Sequence, residues 1–333
     1  MKAAMFEKQG IENLFVRDTE MPKVGPGTVL IRVRMAGVNP IDFKAVTSIP
    51  HVSPMAHIPG AEFAGEVAEL GSGVSGLAKG DRVAVYNRHF DGTCRMCKSG
   101  NQQLCVSGYI IGVGSNGGFA EYAVVDAKNA FKIPDGLGWE MAASLPVAAL
   151  TAYHAIAESG LKEGETAVIL GASGNTGLFA LQFASKLGAK VIGISRKDWI
   201  GEFGAESVFD SPSAVEKLKE STGGEMADVV LNSLGEKFWD AGIKMLGYGG
   251  RMVGFGTLSG NIVRVDFNEM YSKQTRIIGS TGGTVEEFGR LVSDAEAYKL
   301  RVWKKVRLDE ARSALESLES PEREGRLLVD MQD

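Results

Sequence analysis

The sequence predicts an α/β protein of two domains, one rich in short strands and one built as a doubly wound parallel sheet. Three observations carry this expectation. The chain has 333 residues, more than one hydrophobic core usually serves. Its first third sets short apolar or alternating runs between glycines and prolines, whereas its middle alternates apolar strands with amphipathic helices. A glycine-rich turn joins a strand to a helix near the start of that middle region.

In chain order, strands are expected at TVLIRVRMAGV (28–38), GEVAELG (65–71), DRVAVY (81–86) and FAEYAVVD (119–126), with Gly- and Pro-containing turns between them. After Pro134 the texture changes: GWEMAASLPVAALTAYHAIAESG reads as helices, with Gly160 at a C-terminal cap. From Thr166 the order is TAVILG, a helix from about Asn175, AKVIGIS, SVFD, a helix around Val215, DVVLNSL, the helix EKFWDAGIKML and GGRMVGFG. RIIGS (276–280) adds a further strand. The last fifty residues mix helices with a final strand, RLLVDM, and are expected to return to the first domain.

Hydrophobic residues make up 44% and charged residues 23% of the chain, and the net charge is -5. With no basic stripe, no nucleic-acid or membrane-surface partner is expected. The N-terminal MKAAMFEKQG lacks the apolar core of a secretory signal. No stretch reaches the roughly 18 apolar residues of a membrane span. A cytoplasmic protein is the expectation.

The most specific local signal is VILGASGNTGLFALQFASKLGAKVIGIS. Gly171, Gly174 and Gly177 let the backbone turn sharply at a strand end, and Ser173, Asn175 and Thr176 lie between them. The following helix N-terminus offers N–H groups and a positive dipole end to a pyrophosphate. The context, strand before and helix then strand after, makes this a Rossmann dinucleotide site rather than an empty turn. An NAD site places Asp or Glu at the end of the second strand. Here that end carries Ser195, Arg196 and Lys197, which suit a 2′-phosphate, so NADP(H) is expected. The alternative is a solvated Arg196–Lys197 turn with Asp198 in the acidic role.

All three cysteines, Cys94, Cys97 and Cys105, fall in one short segment, with Asp91 just before them. Three thiolates and a carboxylate can close a tetrahedral zinc shell that organises a loop. Free reduced thiols are the alternative.

The order of motifs resembles the medium-chain dehydrogenase/reductase superfamily, which includes zinc alcohol dehydrogenases and quinone oxidoreductases. The resemblance rests on AGVNPIDFK (36–44), PGAEFAGEVAELGSGVSGLAKGDRV (59–83), GGFAEYAVV (117–125), ASLPVAALTAYHAI (143–156), the glycine turn, DVVLNSLG (228–235), IIGSTGG (277–283) and EGRLLV (324–329). It implies a GroES-like β-barrel catalytic domain from 1–127 and 270–333 around a Rossmann domain at 128–269. It also implies a homodimer or homotetramer. The positions that hold a catalytic zinc in alcohol dehydrogenases fall on Asn39, Ala61 and Val147, beside a retained Glu62. Alanine and valine cannot bind zinc, and His51, His57, His89 and His154 do not restore the ligand set. The asparagine motif and LPVAALTAY resemble the zinc-independent quinone oxidoreductases and enoyl reductases.

Without catalytic zinc, the accessible acceptors are already electron-poor: quinones, enones or enoyl thioesters. The resemblance places Asn39, Asp42, Lys44 and Glu62 at the catalytic site. Asn39 is expected to donate to a carbonyl oxygen, or else to cap the turn before Pro40; Asp42 and Lys44 touch substrate or pair with one another; Glu62 is a remnant of the metal shell. Tyr86 faces the substrate or the core. Matching adds Thr151, Asn232, Phe255 and Gly256 on the nicotinamide side and Arg326 as a phosphate contact. Two rival readings are a zinc alcohol dehydrogenase with unusual ligands and an NADP(H)-binding protein without turnover.

Overall fold

A computed structural model describes residues 1–332. The chain divides into two compact units, Met1–Leu150 with the segment from Gly283 onward, and Thr151–Gly282.

In the first unit the strand Thr28–Gly37 organises a seven-stranded sheet. Its alternation buries Val29, Ile31 and Val33, which pack with Phe63, Val67, Val83, Val85 and Phe119 in one core. One edge of Thr28–Gly37 pairs antiparallel with Phe63–Leu70. The other is shared: its first half takes Tyr122–Asp126 and its last residues take the C-terminal strand Arg326–Asp330. This sharing brings the chain's two ends together, and Val302–Arg307 extends the sheet by pairing parallel with Arg326–Asp330. Strands Arg82–Val85 and Ala130–Lys132 complete it on the far side.

The sequence-expected strands are all present, at Thr28–Gly37, Phe63–Leu70, Arg82–Val85 and Tyr122–Asp126. An unexpected helix, Pro40–Thr47, interrupts the strand-rich region directly after Thr28–Gly37.

The second unit is a six-stranded sheet whose members all run parallel. Numbered within the unit by chain order, its strands lie 3-2-1-4-5-6 across the sheet, from Ser207–Phe209 through Lys190–Ile194, Thr166–Leu170, Ala227–Asn232 and Leu246–Gly254 to Arg276–Gly279. That order is the Rossmann arrangement, in which the strand order reverses beside the first strand. Val168, Leu170, Val230 and Met252 are buried on the sheet. Such continuous apolar runs are what a parallel sheet covered on both faces requires.

The unit borders differ from those expected. Ala130–Lys132 pairs with Arg82–Val85, so residues 128–150 belong to the first unit rather than the second. Conversely, Arg276–Gly279 pairs parallel with Leu246–Gly254, which keeps the sixth strand in the Rossmann unit beyond the expected border at 270. Strand pairing, a long-range property, sets both borders. Among the described residues, no helix is long and apolar enough to cross a membrane.

At Gly177 the first turn of the helix lies close against the turn that follows the strand. A Cβ there would lie 2.3 Å from the Gly171 carbonyl oxygen and 2.7 Å from Ala172 Cα. Gly177→Ala is therefore expected to destabilise the protein by about 1–3 kcal/mol through overpacking, despite the better helix propensity of alanine. Denaturant unfolding checks this; unchanged or increased stability would contradict it.

Candidate active site and metal lobe

The dinucleotide turn follows from the local sequence. Strand Thr166–Leu170 is followed by Gly171, whose φ of 71° suits glycine, and helix Asn175–Lys186 starts four residues after that glycine. Gly174 is the N-cap residue, and its N–H donates to Gly171 O at 2.9 Å. Having no side chain, it leaves the helix end without a side-chain cap. Gly171, Ser173, Gly174, Asn175, Thr176 and Gly177 thus lie together around one helix N-terminus, a geometry suited to an anion.

At the end of Lys190–Ile194, Ser195 Oγ accepts the Lys197 N–H at 2.9 Å, forming a small turn. Arg196 is exposed and Lys197 half-buried, and Asp198 opens the next helical turn, Asp198–Phe203. Asn232 is buried, and its amide shapes the loop after the fourth strand. Its Oδ1 accepts from Leu234 N and Gly235 N, each at 2.9 Å, and its Nδ2 donates to Gly235 O at 3.1 Å. Phe255 N donates to Asn232 O at 3.1 Å, and a Cβ at Gly256 would meet Ser233 O at 1.9 Å. The loops after the fourth and fifth strands are therefore built against each other. Thr151 lies half-buried at the start of helix Leu150–Ser159.

In the first unit, three neighbouring strand ends converge. Thr28–Gly37 runs into Asn39, Phe63–Leu70 begins just after Glu62, and the C-terminal strand begins with Arg326. All three side chains are buried. Glu62 Oε2 accepts from Asn39 Nδ2 at 2.7 Å and forms an ion pair with Arg326. Glu62 Oε1 accepts from the backbone N–H groups of Val147 and Ala148, each at 2.8 Å. These N–H groups lie in the turn Leu145–Ala149, whose wider π-type winding precedes the helix beginning at Leu150. The carboxylate also sits at a positive helix end. Arg326 completes the network through NH1 to Asn39 Oδ1 at 3.0 Å and Nε to Ser144 Oγ at 3.3 Å. A Cβ on Gly37 would fall 2.2 Å from Glu62 Oε2 and 2.3 Å from Arg326 NH2, so this pair needs glycine beside it.

This placement corrects the expectation for Arg326 and favours the capping alternative for Asn39. Arg326 was expected on a phosphate, but it is 0% exposed and each of its three guanidinium nitrogens is engaged inside the first unit. Asn39 was expected to offer its amide to a substrate, or to cap a turn. It stands at the N-cap of helix Pro40–Thr47, with Pro40 at the first helical position, and its side chain joins the ion-pair network. Motif matching identified both positions without showing that they face one another.

Asp42, expected beside substrate, is buried in the same helix. Its oxygens accept from Asn39 N at 2.8 Å and Ala61 N at 2.7 Å. Burial pushes its carboxyl up to about 7, with Glu62 adding to the rise, against the two N–H donors and Arg326. Lys44 is half-buried on the same helix. Tyr86 takes the core alternative: it is buried, its hydroxyl donates to Gly283 O at 2.8 Å, and burial holds the phenol above its ordinary pKa.

The cysteine segment folds into a compact lobe. One donor atom from each of Asp91, Cys94, Cys97 and Cys105 lies within 4.8 Å of the others. Backbone N–H groups point at the sulfurs: Cys97 N to Cys94 Sγ at 3.4 Å and Asp91 N to Cys105 Sγ at 3.3 Å. Such donors favour thiolate, and Cys94 is drawn down to about 7, first by the Cys97 N–H and then by that of Val106. Burial holds Cys97 up at about 12. Three sulfurs and one oxygen at this spacing fit a tetrahedral zinc shell.

Removing one partner of a buried ion pair leaves an uncompensated charge. Arg326→Leu is expected to cost about 3–5 kcal/mol in denaturant unfolding, and Glu62→Leu in the same chain to recover part of that loss. Additive losses would contradict the pairing. Asp42 supplies a pH test. Its folded-state pKa lies above the ordinary 3.8, so between about pH 4 and about pH 7 the folded state holds a proton that the unfolded chain has released. Its contribution to stability therefore falls as pH rises through that window. Asp42→Asn is expected to flatten this part of the profile, and an unchanged slope would contradict it.

Comparison with known proteins accords with this architecture. The alcohol dehydrogenase GroES-like domain family matches residues 25–135, and the zinc-binding dehydrogenase family matches 176–297. An NAD-dependent alcohol dehydrogenase of Sulfolobus acidocaldarius is 32% identical, with 99% of each chain covered. An acryloyl-coenzyme A reductase of Metallosphaera sedula is 31% identical over the same share of both chains. Among solved structures, a cobalt- and zinc-bound thermostable alcohol dehydrogenase from Pyrobaculum aerophilum is 42% identical, with a TM-score of 0.93 over 99% of each chain. With its GroES-like and Rossmann units and relatives matched end to end, the chain belongs to the medium-chain dehydrogenase/reductase superfamily and is an oxidoreductase of that type.

Proposed function

We propose that this chain is an NADPH-dependent reductase that passes hydride to a quinone or to the β-carbon of an α,β-unsaturated carbonyl, without a catalytic metal. The observation that carries the reading is the Asn39–Glu62–Arg326 network. Of the positions matched to the metal shell, Ala61 has no side-chain donor atom, and its backbone N–H goes to Asp42. Val147 likewise offers an N–H, which Glu62 takes. Glu62 is the sole anionic donor of the set, and a guanidinium already neutralises it. A divalent cation there would face Arg326 at close range, so these residues do not fit a catalytic zinc.

A site of this chemistry favours an acceptor that needs no metal. Oxidising an alcohol needs its hydroxyl proton removed, a task zinc performs by acidifying the bound oxygen. A quinone or enone is already electrophilic and needs hydrogen-bond donors where negative charge develops on oxygen. NADPH, when bound, supplies the hydride; the protein orients the two reactants and keeps water away. The 31% identity to an acryloyl-coenzyme A reductase supports the enone branch. The similarity to alcohol dehydrogenases favours the rival reading of a zinc enzyme with unusual ligands, against which the Glu62–Arg326 pair stands.

Ser195, Arg196 and Lys197 support NADPH over NADH, because the second strand ends without a carboxylate and Arg196 is exposed there. One zinc in the Asp91, Cys94, Cys97 and Cys105 lobe is part of the reading, as a brace for the loop. A homodimer or homotetramer is also part of it. The edge strand Arg276–Gly279 is paired on one side, and Ile262 and Phe267 in the same unit are 77% and 72% exposed.

The test follows the ultraviolet absorbance of the reduced cofactor with an ortho-quinone and with a short enoyl thioester. Faster oxidation of NADPH than NADH, unaffected by a metal chelator in short assays, is expected. Arg196→Ala is expected to raise KM for NADPH by about 10- to 100-fold and leave NADH unchanged, the scale of one charge-assisted contact. Alcohol oxidation abolished by the chelator, with no reduction of either acceptor, would overturn the reading.

A further inference from the structure

Asp91 supplies the one oxygen among three sulfurs in the cysteine lobe, and its two carboxylate oxygens are differently engaged. Oδ1 accepts the backbone N–H groups of Thr93 at 2.6 Å and Cys94 at 2.9 Å. Oδ2 accepts the Ser107 hydroxyl at 2.6 Å, with no backbone N–H recorded on it among the described residues. An ionised carboxylate oxygen has room for about two partners, so Oδ1 is filled while Oδ2 keeps a direction for a cation. The same hydroxyl lies 3.6 Å from Cys105 Sγ, and the Asp91 N–H donates to that sulfur at 3.3 Å. Ser107 therefore touches the oxygen donor and one sulfur donor at once.

We propose that Ser107 is a positioning residue of the zinc site: its hydroxyl fixes the rotation of the Asp91 carboxylate so that Oδ2 faces the metal. The proposal rests on the reading that this lobe holds zinc. Oxygen is a weaker partner than thiolate for this borderline-soft ion, so the carboxylate arm depends most on outside orientation. Ser107 is exposed, and a surface substitution of this kind usually moves stability by no more than about 0.5 kcal/mol. Its loss should register on the metal rather than on the fold.

The test loads the full-length protein with zinc and measures transfer to a chromogenic chelator. Elemental analysis of the wild type first shows whether zinc is held. Ser107→Ala is expected to weaken zinc retention by about 10- to 100-fold, the range for loss of such an orienting contact, while Ser107→Thr retains it. In an Asp91→Cys background there is no carboxylate to orient, so adding Ser107→Ala is expected to change nothing. Equal loss in that background, or no loss in the single variant, overturns the positioning role and leaves the zinc reading standing. A wild type that binds no zinc overturns both.

Discussion

The ion pair between Glu62 and Arg326 is the constraint around which the first unit is arranged. Each side chain is at most 1% exposed, so both charges have lost nearly all their water. Such a pair is sustained only when the remaining hydrogen-bonding directions are also met. Here they are met from two stretches of chain: Asn39, and Ser144 with the Leu145–Ala149 turn that follows it. This requirement explains the absent side chain at Gly37. It also gives the shared edge of Thr28–Gly37 a chemical consequence, because that pairing delivers Arg326 to Glu62.

The network and the cysteine lobe differ in what their donors suit. The cysteine lobe presents soft donors with N–H groups turned toward them, suited to an ion that shapes a loop. The Glu62 site presents a neutralised carboxylate and amide groups, suited to holding backbone in place. The two sites share no ligand, so a metal in the lobe implies nothing about a metal beside Glu62.

Much of this was legible in the sequence, for physical reasons that differ from element to element. The Rossmann strands stood out because each is a short apolar run bounded by glycine or a helix cap, a purely local signal. The glycine turn was legible because close backbone approach leaves no residue other than glycine, as at Gly177. The helix Pro40–Thr47 is hidden by the strand-rich pattern around it, although Asn39, Pro40 and Asp42 stand at N-cap, first and third helical positions, a start signal readable in the sequence. Arg326 was found as a position and misread in role, since its partners lie some 180 to nearly 290 residues away in sequence. Ser107 carried no signal at all; a serine two residues beyond a cysteine becomes meaningful only when Asp91 is folded against it. The unit borders were displaced for the same reason, because strand partners rather than composition decide them.

The Arg326 guanidinium lies against Glu62, and on the proposed function it leaves no place there for a reactive metal. Diffraction at the zinc absorption edge, from crystals grown with zinc present, tests it most directly. The account predicts one anomalous peak per chain, among Asp91, Cys94, Cys97 and Cys105, with Arg326 still against Glu62. A second peak within bonding distance of Glu62, with Arg326 displaced, would contradict it.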